Sequence, residues 1–336
     1  MEITSRNWLI TGGCGFLGVN LIDRLLKLDP KTNIRVLDNL SVGSRDDLGG
    51  VCNFREVASG EIGSSPSGVE LVVSNIMDVG ACSAATKGID VVVHFAANTG
   101  VGPSVENPRL DMETNVIGTF NMLEASRQNN VRNFIFASSG APLGEVEPPI
   151  HEEKAPRPVS PYGASKLAGE GYCSAYYRTF GLKTVSLRFG NVYGPRSKHK
   201  SSVVAKFFRQ ALRGEPLEIY GDGSQTRDFI YIADLVQAVI LSAKSDAGGE
   251  VFQIATHRET NVNEIAGMIK GLVESETGKT VPVTYGEARL GDVKRNYSDI
   301  SKAARILGFA PRFGLAEGLK KTYAYFKSGK GANYGK

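Results

Sequence analysis

The run Thr11-Gly12-Gly13-Cys14-Gly15-Phe16-Leu17-Gly18 constrains the fold of this chain more than any other stretch. A short apolar run, Asn7 to Ile10, leads straight into it. Phe16, Leu17, Ile22, Leu25 and Leu26 then recur at helical spacing until Asp29-Pro30 stops them. Strand, glycine turn and helix in that order make a cradle for a pyrophosphate. Gly12, Gly15 and Gly18 let the backbone turn tightly and come close, and the amides at the helix start point at the anion. A second strand, Ile34 to Leu37, ends in Asp38, about 20 residues past the last glycine, where a ribose-binding acid belongs. Its carboxylate can accept from ribose hydroxyls and would repel a 2′-phosphate, so NAD is expected rather than NADP. An ordinary turn followed by a chance Asp would not need both the spacing and the context.

Glu70 to Val73, Val91 to Phe95, Asn133 to Ala137, Lys183 to Leu187 and Val251 to Ile254 are short and rich in β-branched residues, with helical segments between them. The alternation predicts an α/β fold with a doubly wound, mostly parallel sheet of Rossmann type. Asn107 to Asn129 and Tyr162 to Phe180 read as long helices. Residues 41–68, dominated by Gly, Ser and Asp, read as loop and irregular surface. After about residue 188 the rhythm weakens, and Gly, Pro, Arg and aromatic clusters take over. Residues 1–187 are therefore expected to form an NAD-binding domain to which later segments return. Residues 188–336 should mainly form a smaller α/β substrate-binding part over the strand ends.

Composition excludes several other classes. A net charge of +4 over 336 residues, with no Lys/Arg run interleaved with aromatics, argues against nucleic acid. No stretch approaches the roughly 20 apolar residues of a membrane span, and the N-terminus lacks a signal peptide's charged and long apolar regions. Cys14, Cys52, Cys82 and Cys173 have no metal-ligand or disulfide spacing, which reads as reduced thiols in a cytoplasmic protein. The basic loop Arg196-Ser197-Lys198-His199-Lys200 reads as a solvated turn that could sit near an anionic ligand.

Ser160-Pro161 is a helix start, Ser as N-cap and Pro at the first helical position. Tyr162 and Lys166 then lie one turn apart on one face. A phenol near pKa ~10 is a poor base at neutral pH, and an adjacent ammonium favours the phenolate. Alone, such a pair occurs by chance in many helices.

Taken in order along the chain, these motifs resemble the extended short-chain dehydrogenase/reductase family, in its nucleotide-sugar epimerase and dehydratase branch. The resemblance rests on Thr11 to Gly18, Asp38-Asn39-Leu40, His94-Phe95-Ala96-Ala97, Asn115, Ser138-Ser139, Tyr162 with Lys166, Arg188 to Pro195, Gly221 to Tyr231, Arg289 to Val293 and Asp299 to Lys302. It implies that the glycine loop with Phe16 and Leu17, together with Asp38, Asn39 and Ser41, holds the pyrophosphate and adenosine ribose of a tightly kept NAD. Asn75-Ile76 stands where relatives carry Asp-Ile or Asp-Leu against the adenine. Phe95, Ala96, Ala97 and Thr99 would lie beneath the cofactor, with Asn115 nearby. Tyr162 corresponds to the catalytic base, Lys166 to the group that lowers its pKa and reaches the nicotinamide ribose, and Ser139 to the assisting hydroxyl. Asn191, Tyr220, Arg227, Arg289 and Asp292 match positions that bind the nucleotide diphosphate end of the substrate.

The implied reaction is oxidation of a sugar hydroxyl to a transient 4-keto group and return of the hydride to the opposite face, a C4 epimerisation of a nucleotide sugar, with UDP the expected nucleotide. Dehydratases of the branch carry an Asp-Glu pair after the catalytic hydroxyl residue, and its decarboxylases place a Glu in the same segment. Here those positions are Gly140 and Ala141. Two departures bear on the sugar. Pro142-Leu143-Gly144 replaces the usual Val-Tyr-Gly, and Asn296 stands where some relatives carry a bulky Tyr, leaving room for an N-acetyl group at C2 or another enlarged sugar. The family also implies a homodimer through the helices holding Asn115 and Tyr162. A net NAD(P)-dependent keto-sugar oxidoreductase, another nucleotide-sugar modifying enzyme (dehydratase or decarboxylase) and a non-catalytic NAD-binding sensor are the competing readings.

Overall fold

The computed structural model describes residues 7–288 and 293–329. Seven strands in chain order build most of one sheet: β1 (Asn7–Thr11), β2 (Asn33–Asp38), β3 (Arg55–Glu56), β4 (Val69–Val73), β5 (Val91–His94), β6 (Asn133–Ser139) and β7 (Lys183–Phe189). An eighth, Glu250–Ile254, returns from late in the chain and pairs beside β7. The spatial order is Glu250–Ile254, β7, β6, β5, β1, β2, β4, β3, and every pairing is parallel. This is a doubly wound Rossmann-type sheet.

The side-chain period of two sends alternate residues to opposite faces, and both faces are covered. Trp8 and Ile10 of β1, Val91 and Val93 of β5, and Ile135 of β6 enter one buried cluster. Leu9, Val92, Phe134 and Phe136 enter the other. The chain runs outward from β1 to β2 and β4, then comes back to β5 on the other side of β1. That reversal opens a crevice at the carboxyl ends of β1 and β5, where sheets of this kind take ligands.

Two regions differ from their sequence reading. Residues 41–68 are partly ordered. Ser44 and Asp47 form a reciprocal capping box on the short helix Arg45–Gly49, Leu48 is buried, and Arg55–Glu56 adds an edge strand. The expected helix from Asn107 to Asn129 is broken into Pro108–Met112, a wide π turn over Glu113–Ile117, and Gly118–Gln128. Two local demands account for the irregular turn. The Asn115 side chain is held by several partners, and Gly118 lies so close to Ile76 that a Cβ would sit 2.5 Å from its Cδ1. The Tyr162 helix, Pro161–Phe180, begins as read: the Ser160 side chain accepts from Gly163 N–H.

The later part of the chain adds small two-stranded pairs, Asn191–Tyr193 with Phe229–Tyr231 and Leu217–Tyr220 with Val283–Gly286, and the helices Val203–Arg213, Val262–Thr277 and Leu315–Lys327. Among the described residues no helix is long and apolar enough to cross a membrane.

Candidate active site

The glycine loop at the end of β1 is tied by its own backbone amides. Gly12 N–H donates to Leu37 O (2.9 Å) and Gly15 N–H to Gly12 O (3.1 Å). Gly12 has φ +66°, and a Cβ there would lie 2.9 Å from Ala96 N; one on Gly18 would lie 2.4 Å from Gly13 Cα. Gly15 caps helix Phe16–Leu28 without a side-chain bond, so first-turn amides are left for an anion. Buried Asp38 accepts from Cys14 N–H (2.9 Å) and Leu40 N–H (2.8 Å), one at each oxygen, and burial raises its pKa. Each oxygen keeps a second lone pair for a ribose hydroxyl. The bare cradle, the open helix start and the acid at the end of β2 fit an NAD pyrophosphate and ribose.

A cleft of about 360 Å³ opens from this loop toward the later part of the chain. Leu17, Phe95, Ala97, Thr99, Ser139, Tyr162, Lys166, Asn191, Tyr220 and Arg227 all line it, so residues far apart in sequence meet there. Ser139 ends β6, and its hydroxyl lies close enough to the Tyr162 phenol to lower its pKa. The helix start is pressed onto this strand end, since a Cβ on Gly163 would lie 2.5 Å from Ala141 O. Lys166 is buried and donates to Ala137 O (2.9 Å), with its ammonium 5.8 Å from the Tyr162 ring centroid.

The electrostatics differ from expectation at Tyr162. Burial pushes its phenol up to about 12, and Ser139 only partly opposes this; Asp111 raises it further. Burial also pulls Lys166 down to about 8. In the polypeptide alone, then, desolvation outweighs the groups that favour the phenolate.

The other expected residues make contacts of their own. Ile76 is packed on Gly118 in the core, and Asn75 Oδ1 accepts from its own turn at Met77 N–H (3.0 Å). Asn39 Oδ1 likewise accepts from Ser41 N–H (3.1 Å). Asn115 is buried. Its amide binds Asn98 N (2.8 Å) and O (2.8 Å), Asp111 Oδ1 (2.9 Å) and Ser165 Oγ (3.2 Å). Pro142 and Leu143 are buried and do not line the cleft. Asn296 faces Gly140, its Nδ2 lying 3.7 Å from where a Gly140 Cβ would be. Arg289 and Asp292 lie outside the described residues.

Sequence reasoning missed Asp111 and His94. Asp111 is buried beneath the Tyr162–Lys166 pair, with Oδ2 unpartnered among the described residues. The four-residue steps from Asp111 to Asn115 and on to Thr119 were the available signal. His94 is fixed between two threonines. Ala96 N–H donates to Thr11 Oγ1 (3.2 Å), leaving the Thr11 hydroxyl proton for His94 Nδ1 (2.8 Å). Thr119 Oγ1 donates to Asn115 O (2.7 Å), so it accepts from His94 Nε2–H at 3.1 Å. Only the neutral imidazole with Nε2 protonated satisfies both sides. Burial, with Lys166 nearby, holds its pKa near 3 against 6.5 when free. The unfolded chain therefore takes up this proton first, and the stabilisation present above pH 6.5 is lost as the pH falls from there toward 3. At pH 5 the loss is about 2 kcal/mol, or about 3 °C in melting temperature for a chain this long. A His94→Gln variant should show a correspondingly flatter fall in melting temperature between pH 7 and 5. Equal slopes in the two proteins would exclude His94 as the source.

The fold and this cleft define a Rossmann-type protein built to bind NAD beside a Ser-Tyr-Lys set. The chain belongs to the NAD dependent epimerase/dehydratase family, which it matches over residues 8–255. It is 34% identical over 325 residues to a UDP-glucose 4-epimerase of Mycolicibacterium smegmatis, covering 95% of this chain and 98% of the relative. Among solved structures it is similar to the UDP-N-acetylglucosamine 4-epimerase of Methanobrevibacter ruminantium in complex with UDP-N-acetylmuramic acid (31% identity, TM-score 0.86, covering 97% and 99% of the two chains). It is also similar to the Thermus thermophilus UDP-glucose 4-epimerase complex with NAD (34% identity, TM-score 0.82, 96% and 99%). Dehydratases are among the similar proteins as well. The chain is a UDP-sugar 4-epimerase-like enzyme with NAD as its cofactor.

Proposed function

We propose that this protein interconverts C4 epimers of a UDP-sugar through a transient 4-keto sugar, with NAD regenerated in each cycle. The observation that carries the reading is that Ser139 and Tyr162 line one cleft, the Ser139 hydroxyl favouring the phenolate, beside Gly140 and Ala141, which offer no acid or base for eliminating water. Bound along the glycine loop and Leu17, NAD supplies a reversible hydride acceptor and, when oxidised, a positive ring. Tyr162 Oη takes the proton of the sugar 4-hydroxyl and later returns it to the same oxygen. Ser139 Oγ holds that oxygen in line with the phenol. Lys166, anchored on Ala137 O, keeps a positive charge at the floor of the site. Bringing the phenol from about 12 to neutrality asks roughly 7 kcal/mol of added positive charge.

In this reading residues 1–187 mainly carry NAD and residues 188–336 mainly carry the nucleotide sugar. Asn296, beside Gly140, leaves space for an N-acetyl group at C2. Four free cysteines suit a reducing cytoplasm. The exposed apolar side chains Ile117, Phe120, Tyr172 and Phe180 on the Asn115 and Tyr162 helices suit a homodimer.

The purified protein, incubated with UDP-glucose, UDP-N-acetylglucosamine and UDP-glucuronate without added cofactor, is expected to convert at least one to its C4 epimer. Light scattering on the same preparation should give twice the chain mass. A 6-deoxy-4-keto product, or a steady change at the nicotinamide absorbance band, would overturn epimerisation in favour of dehydration or net oxidoreduction.

A further inference from the structure

The basic loop after Pro195 is not a solvated turn. Its basic side chains are assigned one by one. Arg196 Nη1 donates to Asn20 Oδ1 (3.1 Å) and lies 3.5 Å from Asp23. Lys198 Nζ meets Asp47 Oδ1 at 2.6 Å, and His199 Nε2 meets Asp47 Oδ2 at 3.2 Å. Arg209, one helix further on, donates to the carbonyls of Lys198 (3.0 Å) and Lys200 (2.7 Å). Asp47 belongs to the capped helix Arg45–Gly49, and neighbouring Gly43 is pressed so tightly on the glycine loop that a Cβ would lie 2.2 Å from Cys14 O. The loop is thus clamped at both ends against the cofactor segment.

Lys200 is the exception. It is half-buried, lines the cleft next to Ser201 and Ser202, and has no ion-pair or hydrogen-bond partner for its ammonium among the described residues. The other lysines of the cleft wall are engaged: Lys166 on Ala137 O, and Lys206 on Glu218 Oε2 at 2.5 Å while it covers the Tyr220 ring at 3.9 Å. Withdrawing an ammonium from water without an acceptor costs free energy that an arriving anion recovers. Burial already pulls the Lys200 pKa below its usual value.

We propose that Lys200 is a substrate-binding residue that pairs with an anionic oxygen of the nucleotide sugar. The inference rests on the UDP-sugar reading. Two parts of such a substrate carry that chemistry, the diphosphate and, in a hexuronate, the C6 carboxylate. Titration calorimetry of the NAD-loaded protein with UDP, UDP-glucose and UDP-glucuronate separates them. If Lys200 meets the diphosphate, Lys200→Met weakens all three by about 10- to 100-fold. If it meets the carboxylate, only UDP-glucuronate is weakened. Lys200→Arg should keep most of the affinity in either case, and the melting temperature should not change, since the clamps on Asp47 and Asp23 remain. Affinities within about twofold of the unaltered protein for all three ligands would overturn the proposal. Failure of the unaltered protein to bind or turn over any UDP-sugar would instead overturn the reading on which it rests.

Discussion

Tyr162→Phe is expected to lower turnover by about 10²- to 10⁴-fold, the range a positioned general base contributes, while NAD remains bound. The substitution removes one oxygen. The ring keeps its place in the wall of the cleft, one turn from Lys166 on the helix capped by Ser160. The melting temperature should therefore move little, and NAD released by denaturing the variant should match that from the unaltered protein. The pH dependence supplies a second check. A phenol that burial holds up at about 12 in the polypeptide alone works at neutral pH only when positive charge is brought to it. The acid limb of the unaltered enzyme's turnover profile should lie well below 12 and be missing from what activity the variant retains. Turnover within about fivefold of the unaltered protein would remove Tyr162 from the role of base.

Substitution in the glycine loop should separate cofactor binding from folding. Gly12→Ala places a methyl 2.9 Å from Ala96 N on a backbone with φ +66°, with backbone atoms on every near side. The conformation alone costs about 1–2 kcal/mol, and strand ends that cannot withdraw add to it. The variant should lose NAD and melt well below the unaltered protein. Gly15→Ala is different, because a Cβ there meets only Gly12 O at 3.2 Å and φ is −78°. Its methyl would stand at the helix start where a pyrophosphate must come close. It should fold nearly normally and still purify with little NAD, as absorbance and released nucleotide would show. Full NAD occupancy in Gly15→Ala would mean that the pyrophosphate does not lie over this loop.

The outcome at each residue follows the range of the forces involved. The glycine loop, Asp38 and the Ser160-Pro161 helix start were legible because their signals act within a few residues. Positive φ, a missing Cβ, an N-cap and a short β-branched run each dictate local backbone whatever surrounds them. The π turn at Asn115 was not legible, since it depends on Asn98, Ser165 and the contact of Gly118 with Ile76, all remote in sequence. The same holds for the packing of the Ile76 side chain on Gly118.

From the chain alone, a doubly wound sheet with an NAD cradle and a Tyr-Lys helix could be derived, because repeating local patterns and one tight turn suffice to specify them. Only the tertiary structure decided the electrostatics of the site. Burial, which no spacing reveals, sets Tyr162 high, Lys166 low and His94 neutral. It also decided that four of five basic groups around one loop are tied to nearby acids, amides or carbonyls while Lys200 is left facing the cleft. Desolvation and partner geometry are properties of what lies across the fold, and the linear sequence does not carry those distances.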